Sequence, residues 1–171
     1  HVGKVVMRAA AETLTPLTLE LGGKSPCIVA ADADLKMAAK RIIWGKAMNC
    51  GQTCVAPDTL FVHESVKDQL MEAMKQIIHE FYPQGCLASP IYGKIVNQKH
   101  FDRLCGYLKE GRILTGGHID REAHKIELTL IDGLSENDEL LKEEIFGPIL
   151  PVLTYQDIEE VFDYVRAHEK P

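Results

Sequence analysis

Two cysteines lie in a short segment that is rich in residues which interrupt regular structure, Asn49-Cys50-Gly51-Gln52-Thr53-Cys54-Val55-Ala56-Pro57. Gly51 and Pro57 predict an irregular loop here. A thiol on such a loop can be reached by a substrate, and a nearby cation or helix N-terminus would favour its reactive thiolate form. Backbone N–H groups of the loop could also donate to a developing oxyanion. On this chemistry alone Cys54 is a candidate nucleophile, and Cys50 competes with it.

The other three cysteines, Cys27, Cys86 and Cys105, fall in no pattern typical of a reactive thiol or a metal ligand. We expect them to be small buried apolar residues. Five cysteines at irregular spacing argue against a disulfide framework and favour a reducing compartment. Cys50 and Cys54 are separated by three residues, but no second Cys or His pair follows at zinc-finger spacing, so we expect no metal site.

A carboxylate and two glycines follow one another upstream of this loop. Residues 17–21 predict an apolar strand that carries Glu20 near its end, and Gly22-Gly23 predict a turn in which a ligand can approach the backbone closely. Partial burial of Glu20 would make it a stronger general base. The alternative is a glutamate that is simply exposed to water. For Lys24 a surface cation is one interpretation, and we do not expect a catalytic role.

Hydrophobic periodicity predicts alternating helices and strands along the chain. The predicted helices cover residues 5–12, 35–48, 65–80 with Ser65 as cap, 91–108 and 158–168, and the predicted strands cover 17–21, 26–29, 59–62, 112–114, 126–131 and 149–154. This alternation indicates an α/β fold with an open, mainly parallel sheet flanked by helices. Because ligands of such sheets bind beyond the carboxyl ends of the strands, the loops at 20–24 and 49–58 could share one crevice.

Composition excludes several classes of protein. The chain has 171 residues, a net charge of −6 and only 6% aromatic residues, with no cluster of Lys or Arg, so we expect no nucleic-acid partner. No stretch approaches the roughly 20 apolar residues that span a bilayer, and no signal peptide opens the sequence. We expect a cytoplasmic protein, and an anchor outside this sequence is left open.

Three motifs together resemble those of the aldehyde dehydrogenase family. Gly51-Gln52-Thr53-Cys54 is similar to its active-site cysteine motif, residues 19–26 (LELGGKSP) to its glutamate motif, and residues 143–148 (EEIFGP) to its third motif. They occur in the family's order, 34 residues from Glu20 to Cys54 and 90 from Cys54 to Glu144. The sequence before the cysteine, Trp44-Gly45-Lys46 and Met48-Asn49, resembles that of the class 3 branch, which includes fatty and medium-chain aldehyde dehydrogenases.

The resemblance implies a covalent oxidation of an aldehyde substrate. Cys54 would attack the aldehyde to give a thiohemiacetal, which releases hydride to NAD or NADP and becomes a thioester. Water activated by Glu20 would then hydrolyse the thioester to a carboxylic acid. Covalent catalysis of this kind divides one difficult step into two easier ones.

The same resemblance assigns the residues around the cofactor. Glu144 would accept hydrogen bonds from the hydroxyls of the nicotinamide ribose, with Phe146 packed beside that ring. Gly22, Gly23 and Lys24 would support the geometry and fold around the nicotinamide end of the site. The Cys54 N–H would be one oxyanion donor, and Asn49 would brace the loop. Without the resemblance, residues 140–146 carry no special meaning.

The resemblance also implies that residues 1–171 form a catalytic domain. Val2-Gly3-Lys4 looks like the tail of a family segment near the cofactor, so the Rossmann-like cofactor domain would lie upstream and a C-terminal segment downstream, in a homodimeric enzyme. One departure is Leu128, where the family commonly has proline. Two alternatives stay open: a cofactor-independent cysteine hydrolase, against which the lack of a thiol-activating histidine motif counts, and a non-catalytic interaction domain.

Overall fold

The computed structural model describes residues 2–168, so predictions that concern His1 and residues 169–171 lie outside it. The described residues form seven strands: β1 (Pro26–Val29), β2 (Thr59–His63), β3 (Arg112–Thr115), β4 (Ile119–Asp120), β5 (Lys125–Ile126), β6 (Thr129–Asp132) and β7 (Ile149–Tyr155). The α-helices are α1 (Val2–Ala11), α2 (Leu35–Ala47), α3 (Lys67–Phe81), α4 (Gln98–Tyr107), α5 (Glu139–Lys142) and α6 (Ile158–Ala167). Short 3₁₀ helices occupy Met48–Gly51 and Glu64–Val66.

Five strands form the central sheet in the order β1-β2-β7-β6-β3. The pairs β1–β2, β2–β7 and β6–β7 are parallel, and only the edge pair β3–β6 is antiparallel. Strands β4 and β5 form a separate antiparallel pair. The prediction of an open, mainly parallel sheet flanked by helices is therefore confirmed.

Alternating side chains of the central strands divide the core between the two faces of the sheet. Leu60 and Val62 of β2 join the larger core, together with buried residues of α2, α3 and α4. Phe61, between them, faces a smaller cluster with Tyr155 of β7 and Val161 of α6. The larger core thus holds the sheet on the helices that flank the loops of interest.

Side-chain caps define where three of the helices begin. Asp34 accepts from Met37 N at 3.0 Å ahead of α2, and Asn97 accepts from His100 N at 3.0 Å ahead of α4. Asp157 and Glu160 form a capping box at α6. The predicted cap at Ser65 is wrong, because Ser65 lies within a 3₁₀ turn and α3 begins only at Lys67.

The strand predicted at residues 17–21 does not form. The segment from residue 15 to residue 25 is without regular structure, and Leu17, Leu21 and Glu20 are all exposed. An apolar run becomes a strand only where another strand accepts its backbone hydrogen bonds, and pairing at the β1 edge of the sheet starts at Pro26. Residues 17–21 therefore pair with no other strand among residues 2–168.

The helix predicted at residues 91–108 is shorter, because tertiary contacts hold its first part in an irregular conformation. Tyr92 is buried and its hydroxyl donates to Ile126 O at 2.9 Å, while Ile95 N donates to His124 O at 2.8 Å. The helix starts only after the Asn97 cap.

The strand predicted at residues 126–131 is divided into two. Ile126 ends β5, which pairs with β4, whereas Thr129 starts β6 in the central sheet. Leu128, which stands where the family commonly has proline, is fully buried at the point where the chain passes from one sheet to the other. Close approach of Gly116 to the Leu128 carbonyl fits this change of direction.

Among residues 2–168, no helix combines the length and the apolar character that crossing a bilayer requires.

Candidate active site

Cys54 differs from the other four thiols in its exposure. It lies on a turn after the 3₁₀ helix and is exposed, whereas Cys50 and Cys86 are buried and Cys27 and Cys105 are half-buried. Burial raises the pKa of the Cys50 thiol, and that of Cys27, to about 11. These thiols stay protonated near neutral pH, so burial disfavours Cys50 as the competing nucleophile.

The backbone that leads to Cys54 adopts three consecutive left-handed conformations. The φ angles are +50° at Asn49, +54° at Cys50 and +68° at Gly51. Left-handed geometry is costly for residues with a Cβ atom. At Gly51 any side chain would also overlap the carbonyl of Gly147, so only glycine fits this close approach between the loop and the third motif.

The Gln52 side chain holds this loop in place. The residue is buried, and its amide donates to Asn49 O at 3.0 Å and to Lys94 O at 3.0 Å while accepting from Val96 N at 3.0 Å. Asn49 returns a hydrogen bond from its own amide to Gln52 O at 2.9 Å, in keeping with its predicted bracing role. Gln52 therefore fastens the loop to the irregular segment before α4.

The glutamate motif touches the cysteine loop through Ser25. Its hydroxyl donates to Cys54 O at 3.3 Å, and its carbonyl accepts from Asp58 N at 3.0 Å. Within residues 2–168, the Cys54 N–H has no hydrogen-bond acceptor, so this donor is free to face a substrate oxygen.

Glu20 is less constrained than the sequence suggested. Its side chain is exposed, no strand surrounds it, and no hydrogen bond from residues 2–168 reaches its carboxylate. The partial burial expected at a strand end is therefore not provided by the described residues. The structure brings the motif to the cysteine loop at Ser25 but leaves Glu20 itself open to solvent.

Gly22 and Glu144 are brought into direct contact. A side chain at Gly22 would overlap the Glu144 carboxylate, which also accepts a hydrogen bond from the backbone of Gly23. Partial burial raises the pKa of the Glu144 carboxyl, and the Gly23 hydrogen bond opposes that rise. The carboxylate borders a cleft of about 270 Å³ together with Gly22, Gly23 and Lys24.

Phe146 follows Glu144 in a strained conformation. It has a φ of +48° and is 40% exposed. Arg103 of α4 donates to Glu144 O at 3.3 Å and to Ile145 O at 2.7 Å, so hydrogen bonds on the preceding carbonyls support this left-handed turn. The half-exposed ring is available for a contact outside the described residues.

These contacts test whether the site fits a nicotinamide cofactor. A carboxylate beside two glycines offers acceptors for ribose hydroxyls in a cleft that backbone can approach closely. The exposed Phe146 ring stands two residues away. The residues present therefore fit the ribose end of NAD(P)⁺.

A network of buried charges lies beneath both loops. Lys24 Nζ donates to Asp58 Oδ2 at 2.5 Å, with only 10% and 4% of the two side chains exposed. Lys46 of α2 is 1% exposed, and burial lowers its pKa to about 8. Lys24 is therefore not a surface cation, and its contacts are those of a residue that supports the local fold.

Four residues of this site had no role predicted from the sequence, although the first and last of them stand in the quoted motifs: Gln52, Asp58, Arg103 and Lys46. Gln52 and Asp58 lie inside the irregular loop, where polar residues are also expected simply because they contact water. The one available indication of their role was that both are polar residues in a loop and neither belongs to a recognisable turn motif. Arg103 and Lys46 lie on helices, where nothing in the periodicity separates them from solvated charges.

Comparison with known proteins identifies relatives along nearly the whole chain. A family model described as the aldehyde dehydrogenase family matches residues 1–169. The chain is 50% identical to 4,4'-diaponeurosporen-aldehyde dehydrogenase of Staphylococcus aureus, over 100% of this chain and 38% of that protein. It is 45% identical to aldehyde dehydrogenase family 3 member A2 of Mus musculus, over 99% of this chain and 35% of that protein.

A solved structure, the substrate-bound state of Staphylococcus aureus AldH, superposes with a TM-score of 0.94 and 48% identity, over 99% of this chain and 38% of that one. The chain thus spans between 35% and 38% of the length of these relatives. None of the three supports the cysteine hydrolase alternative.

Proposed function

Because the chain belongs to the aldehyde dehydrogenase family, we propose that it is the catalytic domain of an enzyme that oxidises an aldehyde to a carboxylic acid with NAD⁺ or NADP⁺. Similarity to family 3 member A2 of Mus musculus confirms the predicted relationship to class 3. The observation that carries the proposal is the exposed Cys54 thiol on a loop that contacts the Glu144 segment at Gly51. We further propose that the cofactor domain belongs to the part of the longer relatives that this chain does not span.

The first half of the reaction forms a bond between sulfur and carbon. The Cys54 thiolate attacks the aldehyde carbon, and the carbonyl oxygen takes up the negative charge opposite the free Cys54 N–H. A bound NAD(P)⁺ would supply the acceptor for the hydride of this carbon. Glu144 and Gly22 would hold the ribose end of the cofactor, and once the hydride has left, the sulfur remains attached to the substrate as a thioester.

The second half of the reaction breaks the bond between sulfur and carbon. Glu20 takes a proton from water, the hydroxide adds to the thioester carbon, and the acid leaves as Cys54 regains its thiolate. Exposure of Glu20 supports this role, because water reaches the carboxylate directly. Aldehyde, water and NAD(P)⁺ are thereby converted to acid, NAD(P)H and a proton.

Two substitutions in the full-length enzyme that contains this chain test the proposal. Cys54→Ala should abolish aldehyde oxidation, since it removes the nucleophile. Glu20→Gln should keep a first burst of NAD(P)H while it slows steady-state turnover by about 100-fold or more, the usual contribution of a general base. Rapid-mixing absorbance at 340 nm measures both phases.

The matched controls are Cys105→Ala, which removes a half-buried thiol, and Glu122→Gln, which neutralises an exposed carboxylate. Both should leave the burst and turnover unchanged. Activity in Cys54→Ala would overturn the proposed function, and unchanged turnover in Glu20→Gln would show that the base is wrongly assigned.

We also propose that the enzyme is a cytoplasmic homodimer. The five free thiols support a reducing compartment, and the family resemblance supports the dimer. Light scattering coupled to size exclusion chromatography of the full-length enzyme would give the mass of the assembly, and a monomeric mass would contradict the dimer.

A further inference from the structure

Asp58 is the meeting point of the three sequence motifs. It ends the cysteine loop, and its backbone N–H donates to Ser25 O at 3.0 Å. Its Oδ2 accepts from Lys24 Nζ at 2.5 Å, and its Oδ1 accepts from Ile145 N at 2.8 Å. One carboxylate, of which 4% is exposed, therefore links the glutamate motif and the third motif to the loop of Cys54.

The hydrogen bonds of this pair lie on both sides of Glu144. Lys24 Nζ donates to Glu143 O at 3.1 Å and to Leu140 O at 3.0 Å, and Asp58 accepts from the N–H of Ile145. The residues immediately before and after Glu144 are thus held by one ion pair. Because a bond to each neighbour fixes the backbone between them, the place of the Glu144 carboxylate depends on this pair.

A buried ion pair is a poor means of stabilising a fold, because removing two charges from water offsets most of their attraction. The geometry of the pair suggests another role, because Lys24 donates to two backbone carbonyls and Asp58 accepts from one backbone N–H of the same short segment. A second buried cation, Lys46, is within electrostatic range of Asp58 and Glu144. Loss of the Asp58 charge would therefore leave two buried lysines near a single carboxylate.

We propose that the Lys24–Asp58 pair positions Glu144 for NAD(P)⁺, which makes Asp58 a positioning residue for the cofactor rather than a support of the fold alone. This inference rests on the proposed function, since it takes Glu144 as the ribose-binding carboxylate. The cysteine loop has its own anchors in Gln52 and Ser25, so the pair affects the cofactor side of the site more than the thiol.

Asp58→Asn tests the inference, because it keeps an oxygen acceptor and removes the charge. In the 171-residue chain, we expect amide hydrogen exchange at Ile145 to become about tenfold faster or more. In the full-length enzyme, we expect the Kd for NAD⁺ or NADP⁺, measured by calorimetry, to rise about tenfold. The rate at which iodoacetamide alkylates Cys54 without cofactor should change much less than the Kd.

Asp132→Asn is the matched control. Asp132 is equally buried and pairs with Lys67 and Arg112 at 2.8 Å, but none of these residues belongs to the site. It should lower the melting temperature without changing the Kd for the cofactor or the exchange at Ile145. Equal effects of both substitutions on the Kd would show general destabilisation and overturn the inference, as would a wild-type Kd in Asp58→Asn.

If Asp58→Asn does not fold, Lys24→Gln takes its place, since it keeps the acceptor for Ile145 and removes the donors to Leu140 and Glu143. A wild-type Kd in that variant would overturn the inference. The Kd and the hydrogen exchange are both measured without turnover. The predicted changes in them can therefore be absent, which would contradict the inference, while Cys54→Ala still abolishes oxidation. An active Cys54→Ala enzyme would instead count against the proposed function alone.

Discussion

At the scale of single residues, the five cysteines have the same side chain and very different chemistry. The pKa of Cys50 is raised to about 11 because the thiol is buried beside Tyr92, whereas Cys54, four residues later, is exposed. A thiol with a pKa of about 11 has roughly 0.1% thiolate at pH 8, and the thiolate is the species that reacts. Burial thus separates the two thiols of one loop.

This difference predicts selective labelling of the chain. Iodoacetamide at pH 8 should alkylate Cys54 at least about tenfold faster than Cys27 or Cys50, because both of these have raised pKa values and hindered access. Peptide mass spectrometry after timed quenching gives the rate at each site. Equal rates at all five thiols would contradict the assignment and favour a non-catalytic interaction domain.

At the scale of elements, a loop with two strained residues stays in place because helices and neighbouring segments hold it. Asn49 and Cys50 cannot keep left-handed conformations without compensation, and the three hydrogen bonds of Gln52 provide it. The turn at Phe146 depends on Arg103 of α4 in the same way. Regular elements therefore supply the geometry, and irregular ones carry the reactive groups.

Gln52→Ala should destabilise the chain and slow the reaction of Cys54. Loss of the side-chain hydrogen bonds leaves Lys94 O and Val96 N without partners, at a cost of about 1–3 kcal/mol in the free energy of unfolding, whereas Asn49 O still accepts from the backbone N–H of residue 52. Urea denaturation measures that cost, and iodoacetamide kinetics report on the thiol. Gln156→Ala, which removes an exposed amide bonded to Glu64, is the control and should change neither measurement. An unaltered alkylation rate in Gln52→Ala would show that the loop does not need this anchor.

The edge pair β3–β6 has its own electrostatic support, which gives a pH dependence. Hydrogen bonding to Arg112, aided by Lys67, lowers the pKa of Asp132 from 3.8 to about 2. A lowered carboxyl pKa stabilises the fold above the unfolded value, and this contribution, about 2 kcal/mol, is lost as the pH falls from about 4 through 2. Asp132→Asn should therefore reduce the unfolding free energy at pH 7 and have little further effect near pH 2. Denaturation at both pH values measures the unfolding free energies of the wild type and the variant. The same difference between them at pH 7 and near pH 2 would show that the ionised carboxylate contributes nothing.

At the scale of the whole molecule, the described residues contain one side of a site. Cys54, Glu144 and Gly22 lie in loops of the proposed catalytic domain. The Phe146 side chain is 40% exposed, and no hydrogen bond within residues 2–168 reaches the Glu20 carboxylate. The chain spans between 35% and 38% of the length of its relatives. Binding of a dinucleotide normally requires contacts along its whole length, since each ordered contact offsets part of the entropy of association.

The isolated chain should therefore bind NAD⁺ and NADP⁺ weakly and show little oxidation of aldehydes. Calorimetric titration of the 171-residue chain with each cofactor measures this directly. Saturable binding at micromolar concentrations would contradict the expectation and show that these 171 residues suffice to hold the cofactor.

Much of the fold could be predicted from the local spacing of apolar residues in the sequence. The spacing of apolar residues predicted α2, α3 and α6, and the short apolar runs predicted β1, β2 and β7, because burial of one helix face or one strand depends on residue order. The strand predicted around Glu20 was wrong for the opposite reason, since pairing requires a neighbour that the segment's own sequence does not supply.

The sequence by itself determined which family the chain belongs to and which residues are candidates for chemistry, because Cys54, Glu20 and Glu144 stand in recognisable motifs. Only the tertiary structure decided that Cys54 is exposed while Cys50 is buried, that Gly22 meets Glu144, and that Asp58 joins all three motifs. Burial and hydrogen bonding between Lys24, Asp58 and Ile145 join residues up to 121 positions apart. Such contacts leave no mark on local periodicity, since they arise only when the sheet brings the ends of distant strands together.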